Sequence, residues 1–359
     1  MNYLKIVHRK EAINMKDFFS KLLNGMSIAI VCALIPNALL GEILKLIIPS
    51  IPSLQHLYDA TAIVMSMLPI LVGILVGMQF KLTQIQTASV GLATVVGSGV
   101  ISKTAEGIFT IGGIGVVINA GITAALAVLF VRLVGEGLKE YSILLIPMLT
   151  VAIPGMIGFI ILPYVQQTAG LVGDGVAYLT NLQPVLMGAL IAVAFGIIIL
   201  SPISTVGIAT VIMLSGIGAG AANLGVVAVG MGLCFASYKA NSLGTALAHV
   251  LGSPKIQMRN FFLKPIIAVP MLTTAAILGG LAGVLNVQGT PYSAGFGLSG
   301  LVGPLNFINL ADGGWNAANI AIMLGMFFIL PLLLNLFFIY LFNKKLKLVK
   351  DSDYKLDFE

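Results

Sequence analysis

The sequence predicts an all-α polytopic membrane protein of about ten transmembrane helices with re-entrant hairpins. Three observations carry that class. Of 359 residues, 58% are hydrophobic and only 9% charged, against a charged fraction of about 25% in soluble domains. Apolar runs long enough to cross hydrocarbon recur from about residue 22 to residue 342. The net charge of +6 sits largely at Lys5 to Lys21 and Lys344 to Lys355, beside the first and last runs. Basic residues in those places orient spans and attract anionic lipid, so no nucleic-acid partner is expected.

In chain order, residues 1–21 form a basic, mildly amphipathic segment expected in the cytoplasm, followed by one membrane domain over 22–343 and a second cytoplasmic segment over 344–359. The first apolar run continues to about Ile48 without a small-residue cleavage site, which reads as a retained span rather than a signal peptide. Spans are expected near 22–48, 59–79, 84–102, 108–131, 141–163, 183–200, 204–220, 223–238, 264–285 and 317–342. Lys81, Arg132, Lys139, Lys239 and the run Lys255 to Lys264 then face the cytoplasm with both termini, and the Lys- and Arg-free loops 49–58, 164–182 and 286–316 face out. Lys103 dissents from this alternation, so 84–102 either spans or forms a hairpin that never crosses.

Residues 239–255, from Lys239 to Lys255, are too short to span and read as a re-entrant piece, which survives at membrane depth only when buried in protein or lining a wet cavity. As a helix it would set Asn241, Thr245 and His249 at i, i+4 and i+8 on one polar stripe. Glycine and proline interrupt other runs, most densely over 289–304. Such breaks either free backbone groups to face a ligand or let helices pack closely. A faint echo relates 80–98, including Ser98, to 238–253, as two repeats would.

Glu42, late in the first run, reads as a ligand or proton-coupling group, or as a hydrated residue near the outer interface with Lys45. Gln79, Lys81, Gln84 and Gln86 bind hydroxyls or mark the membrane surface. Asn306, Asn309, Asp312, Asn316 and Asn319 make an amide-rich approach to the last span, broken at Gly313-Gly314, and Trp315 reads as an interfacial-belt residue before a sugar platform. Cys32 and Cys234 are isolated, giving neither a disulfide framework nor a zinc site. Gly216 to Gly220 lacks the strand and acidic partner of a dinucleotide loop. Gly297-Leu298-Ser299-Gly300 has the form of an intramembrane serine protease motif, but no histidine follows Ser299. No metal or ATP-binding signature occurs, so no cofactor is expected.

Residues 215–225 (SGIGAGAANLG), 241–258 (NSLGTALAHVLGSPKIQM) and 289–304 (GTPYSAGFGLSGLVGP) resemble the enzyme IIC-like membrane family of the bacterial phosphotransferase system, in the branch with perfringolysin-regulator-like membrane proteins, over roughly 20–343. The resemblance implies a homodimeric plasma-membrane permease of ten spans for a small sugar-like solute, the non-catalytic membrane subunit of a sugar phosphotransferase. It also implies that His249, Asn241 and Thr245 stand where relatives hold sugar. No acidic counterpart falls within a matching motif; Glu42 is merely available. With these, Ser98, Ser299 and Asn306 complete the candidate set. A phosphate-delivering IIB module is not visible in the chain, so phosphotransfer would come from IIA and IIB partners in trans. The alternative is a sensor that keeps the permease fold and signals to a cytoplasmic partner.

Overall fold

The computed structural model describes residues 14–138, 141–291 and 293–357. Its helices in order are α1 (Met15–Ile35), α2 (Glu42–Ile47), α3 (Gln55–Met65), α4 (Leu68–Gln79), α5 (Gln84–Ser98), α6 (Val117–Leu138), α7 (Ser142–Thr150), α8 (Met156–Leu179) and α9 (Pro184–Ile199). They continue with α10 (Thr205–Val211), α11 (Gly216–Ser237), α12 (Leu243–Leu251), α13 (Met258–Leu263), α14 (Val269–Val284), α15 (Val302–Leu310), α16 (Ala317–Leu324) and α17 (Leu330–Ile339). The strands β1 (Ile101–Lys103) and β2 (Phe109–Ile111) form one exposed antiparallel ribbon with Ile101 opposite Ile111. Six helical stretches among the described residues are long and apolar enough to span, and a seventh results if α3 and α4, bent by 51°, count as one. The architecture is all-α and polytopic.

Several boundaries depart from the expected spans. The segment 164–182, expected as an outer loop, is helical to Leu179: α7, a π-helical stretch Val151–Gly155 and α8 run on as 38 residues. The π turn sits at Pro154, which cannot donate a ladder hydrogen bond, and the wider turn accommodates the loss. At ~1.5 Å per residue this helix exceeds the ~30 Å hydrocarbon core, so part of it lies beyond the lipid tails. The expected span over 204–220 is instead the short α10, a turn, and the start of α11. Gly216 adopts φ +60 and pairs with Gly289 just as α11 begins. The run 84–102 is the 15-residue α5, opened by a reciprocal cap between Thr83 and Gln86 and closed by Gly99 at φ +71. Lys103 lies on the exposed ribbon, its Nζ 5.4 Å from the Phe109 ring.

Two cores divide the chain. One gathers Leu23, Ile30, Val72, Val90 and Val128 from α1, α4, α5 and α6; the other gathers Ile191, Phe195, Leu224, Leu233 and Leu278 from α9, α11 and α14. The echo between 80–98 and 238–253 extends to the caps, since Thr83 and Ser242 each accept a backbone N–H at the start of a helix, and no further: α5 has 15 residues and α12 nine. A closer parallel joins Ser98 and Ser201. Each hydroxyl donates to the carbonyl three residues back and accepts the N–H two residues on, and each so ends a helix of its half.

Basic segments expected on one side do converge. Lys21 and Arg132 both approach the Phe80 ring, at 5.9 and 5.0 Å, and Arg259 donates to Ser20 Oγ at 2.8 Å. The end of the chain docks on this face. Tyr354 is fully buried and donates its hydroxyl to the Ile267 carbonyl at 3.0 Å. Asn241 and Gln257 donate to the Tyr354 carbonyl at 2.9 and 2.8 Å, and Asn260 donates to that of Lys355 at 2.7 Å. Burial works against charge on Asp353, but the Lys264 ammonium and the Lys350 N–H hold its carboxyl below the usual carboxylate range. Because its folded value lies below the unfolded ~4, the docking that Asp353 supports is complete above that pH and is lost as pH falls through the folded value. Proteolysis of residues 346–357 is therefore expected to accelerate severalfold on acidification below about pH 4, and Asp353→Asn should remove that acid step. A pH-independent cleavage rate in the unaltered protein would contradict this.

Candidate solute-binding cavity

Between the two cores lies a cavity of about 270 Å³. The first half lends Leu34, Asn37, Met65 and Ile114; the second supplies Ser204 to Val206, Gly252 to Lys255, and the irregular segment at Gly295, Phe296, Ser299 and Gly300. Local chemistry explains why these residues converge. Ser201 ends the helical turn after α9, and Ser204 caps α10 by accepting the Gly207 N–H at 3.0 Å. Ser253 accepts the Lys255 N–H at 3.3 Å, starting a 3-10 turn over Pro254–Gln257. The segment 289–301 has no ladder of its own, so side chains must satisfy its backbone. Asn223 Oδ1 accepts Gly297 N–H at 3.1 Å, Asn306 Oδ1 accepts Thr290 N–H at 3.0 Å and the Ser293 hydroxyl at 2.9 Å, and Thr205 donates to the Gly295 carbonyl at 3.1 Å.

A small lobe of about 10 Å³, room for about one water, adjoins this cavity and shares Phe296, Ser299 and Pro254 with it. His249 lines the lobe, 1% exposed. Its Nδ1 lies 2.9 Å from the Ala246 carbonyl, which only accepts, so Nδ1 carries the proton and Nε2 presents a lone pair. That Nε2 is buried and has no hydrogen-bond partner. Buried polar atoms are rarely left so, and this one can accept a hydroxyl proton from a solute.

The expected polar stripe loses its first member, while Thr245 and His249 keep their i, i+4 spacing within α12. Ser242 caps α12, so Asn241 precedes the helix, and its amide is bound between Ser237, Tyr354 and Leu356. Thr245, four residues before His249 in α12, pairs with Ser242 Oγ at 2.9 Å, and neither Asn241 nor Thr245 lines the cavity. Of the three, His249 alone lines the adjoining lobe. Ser299 lines both lobes, its hydroxyl donating to Gly252 at 3.3 Å; no hydrogen bond joins it to His249 among the described residues, as a nucleophile and base require. Asn306 acts one layer out, holding the irregular segment. Ser98 is buried at the end of α5, away from the cavity. Glu42 opens α2, and its side chain lies outside what the structure describes.

The cavity also contains a residue that charge patterning assigns elsewhere. Lys255, expected at the cytoplasmic surface with Lys264, is 6% exposed and turned inward. Its Nζ donates to the Ser201 carbonyl at 2.6 Å and to the Ile203 carbonyl at 2.7 Å, in the linker after α9. The sequence signal is its place directly after Ser253-Pro254, where the chain leaves α12 inward. Thr205 and Asn37 carry no comparable signal. A wider cleft of about 350 Å³ between 115–118 and Pro202–Val211 shares Ser204 but holds no charged side chain and does not adjoin His249, so the cavity that contains Lys255 is the candidate site.

A family model described as "Phosphotransferase system, EIIC" matches residues 20–356, and with them the docked C-terminal segment. No curated protein and no solved structure matches the chain.

Proposed function

The chain belongs to the phosphotransferase system EIIC family of membrane permeases, and on that premise we propose that it carries a small sugar-like solute through the cavity between its two cores. The observation that supports this reading is an unpartnered His249 Nε2 on a small lobe that adjoins, through Pro254, Phe296 and Ser299, a cavity walled by both halves. Transporters hold solute where broken helices of two repeats meet, and rock one half against the other. His249 accepts a solute hydroxyl, Ser299 and Thr205 bound the same space, and phosphoryl transfer is the work of IIA and IIB partners in trans. The working location is the bacterial plasma membrane, with both termini cytoplasmic and the chain paired as a homodimer.

A membrane sensor is a second reading, favoured by one observation: the C-terminal segment binds Asn241 and Gln257, on either side of the cavity-lining residues. A carrier exposes its cavity to each side of the membrane in turn; a sensor need not. With Cys32 and Cys234 replaced by alanine, Ser299→Cys is expected to react with a membrane-impermeant thiol reagent in both right-side-out and inverted vesicles. Reaction from one side only would remove the carrier reading and leave the sensor.

A further inference from the structure

We infer that the solute carries an anionic group, a carboxylate or phosphate on a hydroxylated skeleton, and that Lys255 binds it. The inference rests on reading the cavity as the solute site and names the class of solute. Among the described residues Lys255 is the one buried side chain with a formal charge. Its ammonium has three donors, and two go to the Ser201 and Ile203 carbonyls. Both carbonyls belong to the linker between α9 and α10, and as neutral acceptors they hold a cation in place without neutralising it.

No described carboxylate lines either lobe. The described acidic side chains that pair with lysine or arginine, Asp17, Asp351, Asp353 and Asp357, do so at other lysines and at Arg259. A buried cation without a counter-ion is costly, so the site gains most from a ligand that brings one. The ammonium also gives the cavity a positive field, which disfavours a cationic solute. Lys255 and His249 therefore divide recognition: one takes the anionic group, and the other, through Nε2, accepts a hydroxyl.

The test is isothermal titration of the full chain in phosphatidylcholine nanodiscs, where no anionic lipid can supply the group, against D-gluconate, D-glucuronate, glucose 6-phosphate, D-glucose and sorbitol. At least one acidic compound is expected to bind tenfold or more tightly than both neutral ones. Lys255→Gln should abolish that preference and Lys255→Arg should retain it. Because Lys255 also ties down the end of α9, a Lys255→Gln protein that does not fold is replaced by competition on the unaltered chain, where inorganic phosphate should displace the bound acid. Neutral compounds binding as well as acidic ones, or a preference that survives Lys255→Gln or resists phosphate, overturns the inference. If glucose or sorbitol binds and His249→Ala weakens it while Lys255→Gln does not, the cavity remains the solute site and only its anionic character falls. If a folded protein binds none of the five, both readings fall.

Discussion

Gly279→Val is expected to remove the folded protein from detergent extracts, the largest effect of any single substitution argued from this structure. A Cβ at Gly279 would lie 2.2 Å from the Gly188 carbonyl oxygen and 2.5 Å from Ala192 Cβ; one at Gly188 would lie 2.1 Å from the Gly279 oxygen. The carbonyl oxygens are backbone and an alanine Cβ has no rotamer, so no side-chain rotation relieves these contacts. The same closeness continues at Gly283, whose added Cβ would meet the Pro184 carbonyl at 2.6 Å, and at Gly225, which would meet that of Ala192 at 2.1 Å. Helices α9, α11 and α14 thus touch backbone to backbone, the small-residue packing that replaces the hydrophobic drive between helices in lipid. Overpacking commonly costs about 1–3 kcal/mol and more where the backbone must move, and at Gly279 it must. Gly280→Ala is the matched control, since its new methyl would find its nearest atom at 3.6 Å, an ordinary contact. Size-exclusion profiles and melting temperatures of the two variants check this. A monodisperse Gly279→Val protein that melts like the unaltered chain would refute the close crossing.

The sequence carries a signal for that crossing that the expected spans leave unused. Gly188, Ala192 and Gly196 repeat every four residues, as do Ala275, Gly279 and Gly283, and the repeat marks a face on which only small side chains fit. The irregular segment over 289–304 was legible for a related reason, because five glycines and two prolines within 16 residues cannot sustain a ladder. Of the basic residues expected on one side, Lys21, Arg132 and Arg259 do gather on one face.

Charge counting failed at Lys255 for a physical reason. A lysine is assigned to the surface because burial of its charge is costly, but here two carbonyls of a linker elsewhere in the chain accept from its ammonium. Ser201 and Ile203 lie more than 50 positions away in sequence, and only the fold brings them to Nζ. The polar stripe failed differently. Helical spacing from Asn241 assumes the helix has begun, whereas Ser242 takes the capping role that serine favours and starts it two residues late. Asn241 was then free to bind the C-terminal segment, a tertiary contact that no local pattern announces. The 38-residue α7–α8 run hid behind Pro154-Gly155, which reads as a break, though proline in a membrane helix can be absorbed by a π turn.

The second large effect is expected at Asn223, a residue with no place in the sequence-derived set. It lies within α11, fully buried, and its Oδ1 accepts the N–H of Gly297, a residue at φ +62 pressed so closely on Val226 that an added Cβ would sit 2.8 Å from Val226 Cγ1. Asn223→Leu leaves that buried N–H unpaired at a cost of about 1–3 kcal/mol. The loss falls on one segment, because Gly297 stands between Phe296 and Ser299 on the cavity wall. The melting temperature should fall, and in the Ser299→Cys background the rate of thiol modification should rise by tenfold or more, since about 1.4 kcal/mol of local opening corresponds to a factor of ten. Asn306→Leu, which removes one of the two acceptors of Thr290 N–H and leaves Ser293 Oγ at 2.9 Å, acts further from the wall and should lower the melting temperature with a smaller change in labelling. The ratio of the two effects separates a residue that shapes the cavity from one that merely fills the core: if Asn223→Leu lowers stability while Ser299→Cys reacts at its original rate, the wall does not depend on this hydrogen bond.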